Sequence, residues 1–171
     1  MNSMLNEIML EAALQNNHHV VLECLEMGAD LMTRRSSGSN TLHILAEFNS
    51  FAFAGIASYC PDALLKKDKN GNTPGVILVT GAKCCPRPTR NEFKCLCDTL
   101  VKLAALSPEI LALANGGRDI LHGLAQTAQS EVLLDLSKTN PSILKIEGVV
   151  QTALDAGSPS SALALLKAGF C

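Results

Sequence analysis

One spacing constrains this chain more than any other property. The segments GSNTLHILAE (38–47), GNTPGVILVT (71–80) and GRDILHGLAQ (117–126) align in register. Gly38 and Gly71 lie 33 residues apart, and Gly71 and Gly117 lie 46 apart, which is 33 plus 13. A second mark keeps the same period. CPDALLKKD (60–68), SPEILALAN (107–115) and NPSILKIEG (140–148) each place a Leu three residues after a Pro, and Pro108 and Pro141 are again 33 apart. Self-similarity at a period of about 20–50 residues implies an array of like units, none able to bury its apolar face alone.

Each repeat reads alike in physical terms. The third residue of each frame is Asn40, Thr73 or Asp119, and each side chain can accept from the free N–H groups of a helix's first turn. Pro74 follows Thr73, at a position where the missing N–H costs nothing. A short apolar run, a polar break and a second apolar run follow. The composition supports helices: aromatic residues are 4% of the chain, Trp is absent, and Ala and Leu dominate the apolar 47%. The expected helix pairs are 2–15 with 18–27, 41–48 with 51–60, 74–82 with 92–106, 119–127 with 130–137, and 150–156 with 159–168.

The motifs GNTP, TLH and ILH at this period resemble the ankyrin repeat, whose signature includes T-P-L-H-x-A. The terminal segments AALQNNHHVVLECLEMGAD (12–30) and VQTALDAGSPSSALALLKAG (150–169) are similar to the same pattern. Thr-Pro is complete only in the third repeat, which has Gly75-Val76 where the family has Leu-His. The resemblance implies an all-α fold, an ankyrin-repeat solenoid of stacked antiparallel helix pairs with short hairpin-like connectors. It implies one domain over 1–171, with repeats at about 1–33, 34–66, 67–112, 113–145 and 146–171. The third repeat carries an enlarged inter-helix loop at 83–91. His43, Thr73, Pro74, Asp119 and His122 fall on the structural motif, where the family's His bonds to backbone and ties neighbouring repeats. Ala12, Ala13, Ala46, Ala125 and Ala153 match its small first-helix positions. Leu25, Leu42, Leu103, Leu121, Leu136 and Leu166 are the expected core leucines.

The resemblance also implies a non-catalytic scaffold for protein–protein interaction, with a partner on the concave face and connector tips. Two tips are basic, with Arg34 and Arg35 in one and Lys66, Lys67, Lys69 and Asn70 in the next. Equivalent positions in successive repeats make a stripe suited to an acidic partner surface. Arg87 and Arg90 in the enlarged loop are further candidate contacts. The alternative is the target-docking domain of a longer enzyme, or of a bacterial effector delivered into host cells. No catalytic set is legible: there is no phosphate-binding G-x-x-x-x-G-K-[ST] and no G-x-S-x-G. No cofactor is expected.

A formal net charge of −2 does not favour nucleic acid. The N-terminal stretch carries Glu7 and Glu11 and no early Lys or Arg, unlike a secretory leader. The longest apolar region, 100–114, is broken by Lys102 and by SPE at 107–109, so no membrane span is expected. The expected location is a reducing cytosol, that of the host if the chain is a delivered effector. There the seven cysteines are free thiols. Cys84, Cys85, Cys95 and Cys97 cluster within 82–97, but their C-C and C-x-C spacings do not suit zinc. Cys95 and Cys97 fall on an expected helix, where residues two apart point about 200° away from each other. A loop thiol at Cys84 or Cys85, flanked by Lys83, Arg87 and Arg90, is a candidate for a lowered pKa. His18 and His19 point in different directions on a helix and make a poor metal clamp.

Overall fold

The computed structural model describes residues 2–48, 52–81, 98–103, 111, 120–126 and 130–170. The described chain is mostly helical, and its one β-type pairing is an isolated antiparallel bridge between Arg34 and Asn40. It forms two compact lobes, Met1–Ala82 and Lys83–Cys171. The boundary falls inside the third sequence repeat, after its first helix.

In the first lobe α1 spans Asn2–Leu14, α2 His18–Glu26, α3 Thr41–Glu47, α4 Phe53–Ala57 and α5 Pro74–Gly81. A 3-10 turn at Pro61–Leu65 follows α4. First helices pack on first helices: α3 lies against α1 on one side and α5 on the other, with α2 behind α1 and α4 behind α3. Sequence accounts for this division. α3 is buried at every residue from Thr41 to Ala46, as expected of a helix packed on both sides, and it takes the polar Thr41 and His43 into the core with it. α2 is amphipathic, burying Val21, Cys24 and Leu25 while Glu23 and Glu26 face solvent. The pattern i, i+3, i+4 puts those three on one face. In α1, Ala12 and Ala13 are buried with Met9 and allow the backbones to come close.

The second lobe repeats the scheme. Residues 98–103 are helical, with Leu100 and Leu103 buried. α6 spans Ile120–Gln126, α7 Ser130–Thr139, α8 Val149–Asp155 and α9 Pro159–Ala168, with a 3-10 turn at Pro141–Lys145 after α7. α6 packs on α8, α7 on α9, and each first helix on its own partner. α7 buries Val132, Leu133 and Leu136 and leaves Glu131, Asp135 and Lys138 outside.

The recurrent Pro marks the two 3-10 turns. Pro61 and Pro141 each open a turn at its first residue, where a fixed φ and a missing N–H are tolerated. The turn's buried residues are Ala63 and Leu64 in one case and Ile143 in the other. Both turns lie outside the expected helices.

Two expectations need correction. α4 is shorter than 51–60, because its chain leaves the α-helix at Ser58 and turns into Pro61. Leu166 is 55% exposed, and Leu165 is the buried residue. The buried stripe of α9 runs through Ser161, Ala162 and Leu165. The equivalent of Leu166, Leu25, is buried and lines a hollow with Leu31, Tyr59 and Cys60. The other described core leucines, Leu25, Leu42, Leu103, Leu121 and Leu136, are buried.

Candidate interaction surface

The two connectors of the first lobe carry one hydrogen-bond pattern, displaced by 33 residues. In the first, Arg35 N–H donates to the Ser39 carbonyl at 2.9 Å and Gly38 N–H to the Arg35 carbonyl at 2.9 Å. In the second, Asp68 N–H donates to the Asn72 carbonyl at 2.9 Å and Gly71 N–H to the Asp68 carbonyl at 3.0 Å. Gly38 (φ 80°) and Gly71 (φ 79°) occupy the same left-handed position of the turn.

The tips touch each other through backbone. Lys69 N–H donates to the Ser37 carbonyl at 3.1 Å. A Cβ on Gly38 would stand 3.0 Å from the Lys69 nitrogen and 3.4 Å from the Asp68 carbonyl carbon. The second tip is braced by Asp68, whose Oδ1 accepts from Asn70 N–H at 2.9 Å and Asn72 N–H at 2.8 Å. This is the Asx-turn use of a short acceptor side chain. Asp30 makes the same kind of turn, accepting from Met32 N–H at 2.8 Å, while its own N–H donates to Asn6 Oδ1 of α1 at 2.8 Å.

Beneath the tips lies a buried polar cluster. Asn40 caps α3: its Oδ1 accepts from His43 N–H at 3.1 Å, and His43 Nδ1 accepts from Asn40 N–H at 3.2 Å. Asn40 Nδ2 also donates to the Ala63 carbonyl of the 3-10 turn at 2.9 Å. His43 Nε2 lies 3.1 Å from the Asn72 carbonyl, an acceptor only, so Nε2 carries the ring proton. Nδ1 is also 2.6 Å from Asn40 Oδ1, a contact that becomes a hydrogen bond only when the ring is doubly protonated. Burial pushes the His43 pKa down and the Arg34 guanidinium adds to this; the Asn72 carbonyl, the Asp68 carboxylate and the Lys66 backbone oppose it. The neighbouring Thr41 is fully buried, and its Oγ1 has no hydrogen-bond partner.

Among the remaining motif positions, Thr73 caps α5, its Oγ1 accepting from Val76 N–H at 3.4 Å, and buried Pro74 opens the helix. His122 is the third residue of α6, and its Nε2 stands 3.3 Å from where a Cβ on Gly148 would lie. Gly148 immediately precedes α8, so His122 approaches the connector ahead as His43 does. Of the basic positions, Arg34, Arg35, Lys69 and Asn70 are exposed, and Lys66 and Lys67 are half-buried. The tips that carry them are linked by the bond from Lys69 N–H to the Ser37 carbonyl. Asp119, Arg87, Arg90, the 83–91 loop and Cys84, Cys85, Cys95 and Cys97 lie outside the described residues.

The sequence reading did not anticipate the bracing by Asp68, the Asn40–Ala63 bond or the solitary Thr41 hydroxyl. Asp followed by Lys-Asn-Gly was the available signal for the first, since that pattern favours an Asx-turn. The other two depend on contacts across 23 residues or on burial, which have no local signature.

A hollow of about 320 Å³ is lined by Leu25, Ala29, Asp30, Leu31, Tyr59 and Cys60. Cys24 is buried and Cys60 half-buried, both as free thiols. Burial pushes the Cys24 thiol up, and the Glu23 carboxylate adds to the rise. Among the described residues, no group of three or more His, Cys, Asp or Glu is placed to hold a metal ion. Nor is any helix among them long and apolar enough to cross a membrane. No protein-family model matches this chain, and no curated protein matches it either.

Proposed function

We propose that this chain is an ankyrin-type repeat protein acting as a non-catalytic scaffold, which binds a partner protein through its connector tips and first-helix faces. The observation that carries this reading is the identical turn at Arg35–Ser39 and Asp68–Asn72, displaced by 33 residues. It is supported by the packing of α3 between α1 and α5, with amphipathic second helices behind. A buried His43 that hydrogen-bonds to its own cap and to the next connector has a structural role. Side chains at the tips are therefore where such an array varies its chemistry without disturbing its core.

The test is affinity capture of partners by the full chain, followed by cross-linking or hydroxyl-radical footprinting of the complex. The expected protection falls on 33–40 and 66–72. Protection confined to the outward faces of α2, α7 and α9 would overturn the reading.

A further inference from the structure

We infer that the two connector tips of the first lobe dock an acidic polypeptide segment. The inference deepens the scaffold reading and rests on it. It starts from a segregation of charge. Every Lys and Arg of residues 1–82 lies in the tips: Arg34, Arg35, Lys66, Lys67 and Lys69. The rest of those residues carry seven carboxylates and no Lys or Arg. A surface shaped only for solubility intersperses the two signs.

The fold turns two short runs into one patch. Lys69 N–H bonds to the Ser37 carbonyl at 3.1 Å, so the tips are in backbone contact, not merely near in sequence register. Arg34, Arg35 and Lys69 are exposed. The only carboxylate within the tips, Asp68, directs Oδ1 onto the N–H groups of Asn70 and Asn72. Arg34, Arg35 and Lys69 thus set three exposed cations against the one carboxylate of Asp68.

The occupant must be negative and short. Duplex nucleic acid carries a charge about every 1.7 Å along its length. A long polyanion would therefore outrun this patch, and the rest of residues 1–82 offers it seven carboxylates and no further Lys or Arg. An acidic stretch of a few residues matches the three exposed cations without that repulsion. It also offers Arg34 and Arg35 carboxylates, which guanidinium groups bind as a two-pronged fork.

The experiment uses the full chain and three probes: a fluorescein-labelled Glu-rich dodecapeptide, an oligothymidylate of equal length, and phosphatidylserine-containing vesicles. The peptide is expected to bind best, and to weaken about tenfold or more between about 50 and about 500 mM NaCl. Replacing the exposed cations together (Arg34→Gln, Arg35→Gln, Lys69→Gln) is expected to weaken it about tenfold or more. A charge-matched triple in the second lobe, Lys138→Gln, Lys145→Gln and Lys167→Gln, is expected to change affinity less than about twofold. Absence of peptide binding, equal loss in both triples, or tighter binding of the oligonucleotide or the vesicles overturns the inference. A protein partner captured by the full chain and held equally by the tip triple also overturns it, while leaving the scaffold reading intact.

Discussion

Replacing Gly38 by Ala isolates the contact between the two tips. At φ 80° any side chain is strained, by about 1–2 kcal/mol for an L-residue in the left-handed region. Gly28, at φ 93°, carries the same backbone strain, but a Cβ there meets nothing within 4 Å. At Gly38 the Cβ would stand 3.0 Å from the Lys69 nitrogen, a backbone atom that cannot swing aside. The second tip must then retreat and weaken the bond from Lys69 N–H to the Ser37 carbonyl, a loss of about 0.5–1.5 kcal/mol. Gly28→Ala should therefore cost about 1–2 kcal/mol and Gly38→Ala about 1.5–3.5 kcal/mol. The gain from a stiffer unfolded chain is common to both and cancels in the comparison. Tyr59 is the only Tyr, and there is no Trp, so intrinsic fluorescence reports unfolding of the first lobe alone. With a urea dependence of about 1–3 kcal/mol per molar, the two midpoints should differ by a few tenths of a molar or more. A Gly38→Ala midpoint equal to or above that of Gly28→Ala would refute the claim that backbone contact joins the tips.

Three further perturbations separate the roles of the buried groups. Because burial holds His43 neutral with a pKa below its ordinary 6.5, its contribution is complete above pH 6.5 and is lost as pH falls through the folded value. The Tyr59 urea midpoint should therefore drop on acidification, and His43→Gln, which keeps the reach back to the Asn40 N–H, should flatten that drop. Thr41→Val should stabilise the first lobe by about 1 kcal/mol, since it replaces an unsatisfied buried hydroxyl by a methyl group of similar size; a raised urea midpoint checks it. In the second lobe, Leu165→Ala should cost about 2–5 kcal/mol. Leu166→Ala should cost no more than about 0.5 kcal/mol, with both followed by far-UV circular dichroism in urea.

The helices were legible because their signals are local. Asn40 before an apolar run, Thr73-Pro74, and the 33-residue return of Gly38 at Gly71 fix where first helices begin, and the observed starts at Thr41 and Pro74 agree with the expected ones. The amphipathic pattern of α2 and α7 likewise lies within a single segment. What escaped was decided across repeats. Leu25 and Leu166 occupy the same place in the sequence pattern, three residues before a Gly, yet one is buried and the other is 55% exposed. Leu25 stands beside Leu31, Tyr59 and Cys60, residues outside its own helix, and such contacts leave no mark in a local pattern. The clustering of Arg34, Arg35 and Lys69 was legible as register, but the bond from Lys69 N–H to Ser37 that brings the tips into contact required coordinates.

The groups that hold the tips in place are almost entirely separate from those that would meet a partner. Backbone atoms make the turns and the contact between them, and the bracing side chains are Ser37, Asn40, His43 and Asp68, of which Asn40 and His43 are fully buried. Arg34, Arg35 and Lys69 enter those bonds only through their backbone atoms, so their exposed side chains can change without loosening the turn. The cations are also the only Lys and Arg among residues 1–82, so the positive potential of that segment comes from the tips alone. Altering their charge should therefore change association and its salt dependence while leaving the unfolding free energy of the first lobe, read from its urea curve, within about 0.5 kcal/mol of the parent. A stability loss approaching that of Gly38→Ala would mean that these side chains hold the tips together and do not primarily serve a partner.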